Sequence, residues 1–264
     1  MRLRWPGPGR CRDRFPLSPR SPARPSRRCR SPLAHPNEVL PPGALNDGPP
    51  VTPRPSATVL LLRDGDPWEL LLVRRPGGAD FAPGAYVFPG GTVHEDDREF
   101  SDELRAAAVR ELFEEAGILL ARGARDAECA QVRKLVEGGA SFGRALSELD
   151  LTPSFDELVM FARWVTPAQL RRRFDARFYL ARMPEGQTVR PQPGEVTDWL
   201  WIAPSRALSS PEITLVYATR VVLESVAEAR DAATLFARAA ELREIPIVEP
   251  RIVQTARGWE IVRD

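Results

Sequence analysis

The stretch Arg110-Glu111-Leu112-Phe113-Glu114-Glu115-Ala116-Gly117-Ile118, preceded by Phe88-Pro89-Gly90-Gly91, constrains this chain more than any other. At about 100° per residue, Glu111, Glu114 and Glu115 fall on one narrow arc of a helix, while Ala106, Val109, Leu112, Phe113 and Ala116 fill the opposite face. Ser101 is the expected N-cap, Asp102 and Glu103 suit the positive end of the helix dipole, and Gly117 sits where a left-handed residue ends a helix. The pattern predicts a helix over residues 102–116.

Glu111 and Glu115 are like charges at i,i+4, an arrangement that costs a few tenths of a kcal/mol in an isolated helix, and Glu114 adds a third charge. One arginine, Arg110, cannot neutralise three carboxylates. The remainder is a net negative, oxygen-only cluster of the kind that hard divalent ions such as Mg²⁺ or Mn²⁺ prefer. Ala107 and Ala108, one turn earlier, are small enough to leave room above the carboxylates for a bulky ligand. An isolated Glu-Glu pair reads first as a solvated helix face, but Arg110 and the flanking Phe-Pro-Gly-Gly weigh against that here.

Arg110-Glu111-Leu112-x-Glu114-Glu115-x-Gly117-Ile118 resembles the second half of the Nudix box at every fixed position, and Gly91 with Asp97 resembles its first half. Asp97 stands where that family usually has glutamate. Twelve residues separate it from Arg110 where the usual box has about seven, and a box lengthened in this way is similar to the peroxisomal acyl-coenzyme-A diphosphatase branch. The resemblance implies hydrolysis of a diphosphate linked to another moiety. It also implies one to three Mg²⁺ or Mn²⁺ ions on Glu111, Glu114 and Glu115, with the carbonyl near Gly90 a further ligand and Gly91 beside the substrate. The catalytic base varies in this family and sometimes lies on a distal loop, which makes Glu195 and Glu212 candidates.

Composition divides the chain. Residues 1–56 hold 14 of the 27 prolines, 11 arginines and only Asp13, Glu38 and Asp47 as acids, about +8 against about −7 for the remainder. Such a segment has too little apolar surface to repay ordering, so a disordered Pro/Arg-rich tail is expected over 1–56 and a folded domain over 57–264. With Trp5 and Phe15 its only aromatics, the tail argues against nucleic-acid binding. No apolar run is long enough for a membrane span or a secretory signal, so a cytoplasmic protein is expected. Cys11 and Cys29 fall in the tail, leaving Cys129 alone and no zinc or disulfide framework. His35 and His94 likewise offer no Ser-His-Asp arrangement.

Along the domain, Ala57–Arg63, a turn at 64–67 and Trp68–Arg74 read as a hairpin. A Pro/Gly-rich loop then leads to a short strand over 86–88. Helical patterns follow at about 124–137, 141–148, 204–208, 217–228 and 231–242, with extended segments at 159–166, 173–182, 196–202, 246–253 and 259–262. The order predicts an α/β protein: an α/β/α sandwich around a mixed β-sheet with additional C-terminal helices, which is also the fold that the resemblance implies.

For substrate, Arg75 and Gly84 fit a signature that the coenzyme-A members carry upstream of the box, whereas Asp80 replaces its second arginine and Pro76 a small residue. Phe81-x-Pro83-Gly84-Ala85-x-Val87-Phe88 is similar to the acyl-coenzyme-A branch. A 3′-phosphate would need a cation, and Arg74, Arg75, Arg172 and Arg173 are the arginines nearest the matched segments. The leading expectation is a small-molecule partner, coenzyme A or acyl-coenzyme A, cut to 3′,5′-ADP and a phosphopantetheine. Alternatives are ADP-ribose, dinucleotides or other nucleoside diphosphate derivatives. A non-catalytic nucleotide-binding module ranks last, since all three glutamates and Arg110 are intact.

Overall fold

The computed structural model describes residues 43–79, 82–255 and 258–262. The elements run β1 (Arg54–Arg63), β2 (Glu69–Arg74), β3 (Tyr86–Val87), β4 (Gly90–Thr92), α1 (Glu103–Ala116), α2 (Asp126–Glu137), α3 (Phe142–Glu148), β5 (Val159–Val165), β6 (Phe174–Arg182), β7 (Asp198–Ile202), α4 (Pro204–Ser209), α5 (Tyr217–Val226), α6 (Ala232–Ala240), β8 (Ile247–Val248), β9 (Arg251–Thr255) and β10 (Gly258–Val262).

The main sheet is mixed, in the order β3-β2-β1-β6-β5-β8, with β4 also on β1 and β7 also on β2. β1 and β6 pair in parallel from Arg54↔Phe174 to Leu62↔Arg182. The free edge of β1 is shared: Ser56, Ala57 and Thr58 take Thr92, Gly91 and Gly90, while Leu62 and Arg63 take Leu70 and Glu69 across the hairpin. The chain therefore leaves β2 through β3, crosses at Phe88-Pro89, and lays Gly90-Gly91 against β1.

Strand alternation sorts the core into two layers. Ala57, Val59, Leu61, Leu71, Val73, Tyr179 and Ala181 pack with α1, α2 and α3 on one face. Leu60, Leu62, Leu70, Leu72, Phe178 and Leu180 pack with α4, α5 and α6 on the other. The C-terminal helices, expected as additions, are thus the second outer layer: Val221, Val222, Leu223, Val226 and Leu235 are all at most 3% exposed. With both faces covered, the strands read as near-continuous apolar runs, as in Val59–Leu62 and Leu70–Val73.

Three local expectations are corrected. Asp102, not Ser101, caps α1, its carboxylate accepting from the Arg105 N–H. Ala107 and Ala108 leave no room for a ligand, because they are fully buried against the sheet, where small side chains let the helix approach closely. The domain also begins before residue 57. Leu45 bridges Leu170, the Asn46 N–H donates to Gln169 O at 2.8 Å, and Arg173 Nη1 donates to Val51 O at 2.9 Å. Backbone pairing rather than apolar burial holds residues 43–56, which is why their composition did not reveal it. Residues 1–42, with Cys11, Cys29 and His35, and also Asp80 and Phe81, lie outside the described residues. Among the described residues no helix is long and apolar enough to cross a membrane.

Candidate active site

The crossing from β3 to β4 brings two glycines under α1. The Gly90 N–H donates to Glu115 Oε2 at 2.9 Å. A Cβ at Gly91 would collide with the Glu111 carboxylate, and one at Gly90 with Ala57 O and with Thr58 Cα at 2.7 Å. Gly90 admits no side chain, since backbone occupies the space it would need, and a side chain at Gly91 would displace the Glu111 carboxylate.

Arg110 spends all five of its donors inside the protein. Nε and Nη2 make a forked pair to the two oxygens of Asp97 at 3.0 and 2.9 Å. Nη1 reaches Glu111 Oε1 and Glu114 Oε2, both at 2.9 Å, and Nη2 also reaches Thr92 O at 2.9 Å. The pair is nearly sealed, with side-chain exposures of 4% for Arg110 and 1% for Asp97. The lengthened loop keeps the contact by folding Asp96–Glu99 into a 3₁₀ turn, whose entry is fixed by the His94 N–H on Asp97 Oδ2 at 2.8 Å.

The acidic face is not a solvated one: Glu111 and Glu115 are only 9% and 8% exposed. Burial pushes Glu115 up to about 8, helped by Glu111 and Glu195 and opposed by the Gly90 N–H and Arg75. Burial also raises Glu111 to about 7, with Arg110 opposing it and Glu114 adding to it. Glu114 is raised by burial, pulled back by Arg110 and raised again by Glu195. Three carboxylates thus face Arg110, Glu115 stands beside them on the Gly90 N–H under the charge of Arg75, and burial makes Glu111 and Glu115 hard to ionise.

The C-terminal turn of α1 is closed by a distant segment. The Arg190 N–H donates to Ala116 O at 2.8 Å and the Gln192 N–H to Glu114 O at 2.9 Å, satisfying carbonyls that a helix end leaves open. Gly117 is left-handed (φ 73°), and a side chain there would strike Arg190 O. Buried Gln187 ties the same segment to Leu119 and Ala124. No local pattern pointed to Gln187, Arg190 or Gln192, because their partners lie about 60 or more residues away in sequence.

This segment carries Glu195 to the box, where its charge acts on Glu114 and Glu115. Glu212 is exposed between α4 and α5 and is not among the charges acting on the three helix carboxylates. The two tandem arginines are separated by strand alternation, a signal the period of β2 already contained. Arg75 follows Val73 on the α1 side and acts on Glu115, whereas Arg74 follows Leu72 on the other side, where Nε donates to Gly84 O at 3.2 Å and the guanidinium stands 5.9 Å from the Tyr86 ring. Arg173 is buried and held by Thr166 O, Val51 O and Glu249, each at 2.9 Å, so it serves the fold.

Comparison with known proteins agrees with this architecture. The profile of the NUDT19 Nudix domain matches residues 100–217. These matches support a Nudix hydrolase near the NUDT19 branch. A crystal structure of a NUDIX hydrolase from Alicyclobacillus acidocaldarius superposes with a TM-score of 0.61 and 28% identity, covering 70% of this chain and 96% of that one. The protein of Caenorhabditis elegans provisionally named nudix hydrolase 7 is 30% identical, covering 58% of this chain and 52% of its own length. Acyl-coenzyme A diphosphatase NUDT19 of Homo sapiens is 28% identical, covering 54% of this chain and 55% of its own. The chain thus spans about half the length of the curated relatives it matches.

Among the described residues no three His, Cys, Asp or Glu side chains stand gathered in a metal-ligating arrangement. Glu111 and Glu114 turn to Arg110, and Glu115 turns to Gly90. The donor chemistry still fits a hard divalent ion, being all oxygen, anionic in excess and backed by glycine rather than by side chains.

Proposed function

We propose that this chain hydrolyses a diphosphate linkage in coenzyme A or acyl-coenzyme A, giving 3′,5′-ADP and a phosphopantetheine or its acyl form. The observation that carries the reading is the excess of buried carboxylates on α1, held beside Gly90, which could bear no side chain, and Gly91, where one would displace Glu111. Glu111, Glu114 and Glu115 are the residues that would hold Mg²⁺ or Mn²⁺, with the backbone at Gly90 as a further candidate ligand. When bound, the ion supplies a water of lowered pKa and a polarised phosphoryl oxygen.

The chain's own residues do the rest. Arg110 is saturated by internal acceptors, so its role is to orient Glu111 and Glu114 rather than to touch substrate. Asp97 holds Arg110 in turn. Gly91 lets the chain run close beneath the carboxylates. Of the two distal acids we assign Glu195 as the general base, since it is the one whose charge reaches the box. Arg75, on the same face, is assigned to the 3′-phosphate; Arg74 and Arg173 are occupied elsewhere. The likeness to acyl-coenzyme A diphosphatase NUDT19 supports the choice of substrate.

Hydrolysis of coenzyme A, 3′-dephospho-coenzyme A, ADP-ribose and a dinucleoside polyphosphate, each with Mg²⁺ and with Mn²⁺, tests the reading. Loss of one charge-assisted contact costs about 1.5–3 kcal/mol, so coenzyme A should exceed its dephospho form in kcat/KM by roughly 10- to 150-fold. Equal rates on both, or faster hydrolysis of ADP-ribose, would move the substrate to nucleoside diphosphate derivatives. No hydrolysis of any of the four would remove the activity.

A further inference from the structure

Trp199 is 38% exposed, although its neighbour two residues on, Trp201, is packed into the α1-side core with the Arg63 guanidinium 4.6 Å from its ring. Directly opposed residues of paired strands share a face. In β2, Val73 is opposed by Trp199 of β7 on one side and by Val87 of β3 on the other. Val73 belongs to the α1-side core and Val87 packs against it, so Trp199 stands on the face that carries the carboxylate helix.

At one strand spacing per step, Trp199 lies about 10 Å across the sheet from Val87, and three residues after Val87 the chain reaches Gly90 under Glu115. Arg75, two residues beyond Val73 on the same face, and Glu195, just ahead of β7, both act on Glu115 and so lie on the same side of the site. Across one surface the order is an exposed indole, a cation and an anionic cluster suited to a divalent ion. That sequence of chemistries complements a nucleotide: a planar base, a phosphate and a metal-bridged diphosphate.

Resting on the diphosphatase reading above, we propose that the Trp199 indole is the platform on which the heteroaromatic base of the substrate stacks, making it the residue that selects base-bearing diphosphates over those without a base. Stacking is tolerant of which base is present but demands a π face, so a phosphopantetheine arm gains nothing from it.

The test measures binding of 3′,5′-ADP and of 4′-phosphopantetheine by calorimetry to the full chain, as wild type, Trp199→Ala and Trp199→Phe, with Mg²⁺ present. Trp199→Ala should weaken 3′,5′-ADP by about ten-fold or more, Trp199→Phe should recover most of that loss, and phosphopantetheine binding should not change. In turnover the alanine variant should raise KM with kcat nearly unchanged, the signature of uniform binding. Unchanged affinity for 3′,5′-ADP in Trp199→Ala overturns the stacking, and so does a loss confined to phosphopantetheine, which would seat the substrate's other end on the indole. Either result alongside normal coenzyme A hydrolysis leaves the diphosphatase reading intact. If instead the wild type cleaves ADP-ribose and not coenzyme A, the choice of substrate fails and the stacking is read on ADP-ribose, which presents the same base.

Discussion

Asp97→Asn keeps the volume of a side chain that is 1% exposed and removes its charge from beneath Arg110. Asp97 accepts three hydrogen bonds, from Arg110 Nε at 3.0 Å, Arg110 Nη2 at 2.9 Å and the His94 N–H at 2.8 Å. An amide accepts through its oxygen alone, so the variant must turn an NH₂ group toward another donor. Removing one partner of a buried ion pair costs about 3–5 kcal/mol, because the remaining charge stays buried. Arg110 retains Glu111, Glu114 and Thr92 O, which places the expected loss near the lower end, about 3 kcal/mol. In a domain of this size that corresponds to a fall in melting temperature of roughly 6–12 °C. The assay is equilibrium urea unfolding, where the midpoint should drop with the slope unchanged. Asp97→Glu, which keeps the charge and adds a methylene to a filled site, should cost less, about 1–3 kcal/mol. A loss under about 1 kcal/mol for Asp97→Asn would refute the claim that this pair, reached across the lengthened loop, holds the helix carboxylates in place.

Four further outcomes are expected. Glu115→Gln or Glu111→Gln should lower turnover by about 100-fold or more, and near-full rate with unchanged metal dependence in the double variant would sink the ligand assignment. Without divalent ions, melting temperature should fall as pH rises from about 4.5 to 8 and level off above that: Glu111 and Glu115 have pKa values raised from 4.5 to about 7 and about 8 in the fold, so their contribution is full below the ordinary value and is gone once pH passes the folded values. Added Mg²⁺ should remove that fall, and a flat or rising profile in chelator would contradict it. A chain starting at residue 54 should be less stable than one starting at 43 by about 1–3 kcal/mol in urea unfolding, since Arg173 Nη1 and Arg171 Nε lose Val51 O and Leu45 O; equal midpoints would show those contacts to be idle. Arg75→Ala should abolish the preference for coenzyme A over its 3′-dephospho form while Arg74→Ala retains it, and the reverse pattern in kcat/KM would reassign the face of β2.

The sequence by itself determined the features that depend on near neighbours. Helix α1 follows from a periodic apolar face and Gly117, with only its cap misplaced at Ser101 instead of Asp102, and its acidic arc is visible in the spacing of Glu111, Glu114 and Glu115 alone. The hairpin of β1 and β2 and the layered α/β order follow in the same way from turn chemistry and periodicity. What the tertiary structure decided is everything that depends on which segments meet. Glu111 and Glu115 are buried because β4 passes beneath them, so their pKa values lie far above the usual carboxylate range. Arg74 and Arg75, adjacent in the chain, end on opposite sides of the sheet. Glu195 joins the box and Glu212 does not, because only the former rides on the segment whose amides close the end of α1. Periodicity reports which face of an element is apolar; it carries no information about which distant backbone will cover that face, and here that choice sets the charge and the reach of the site.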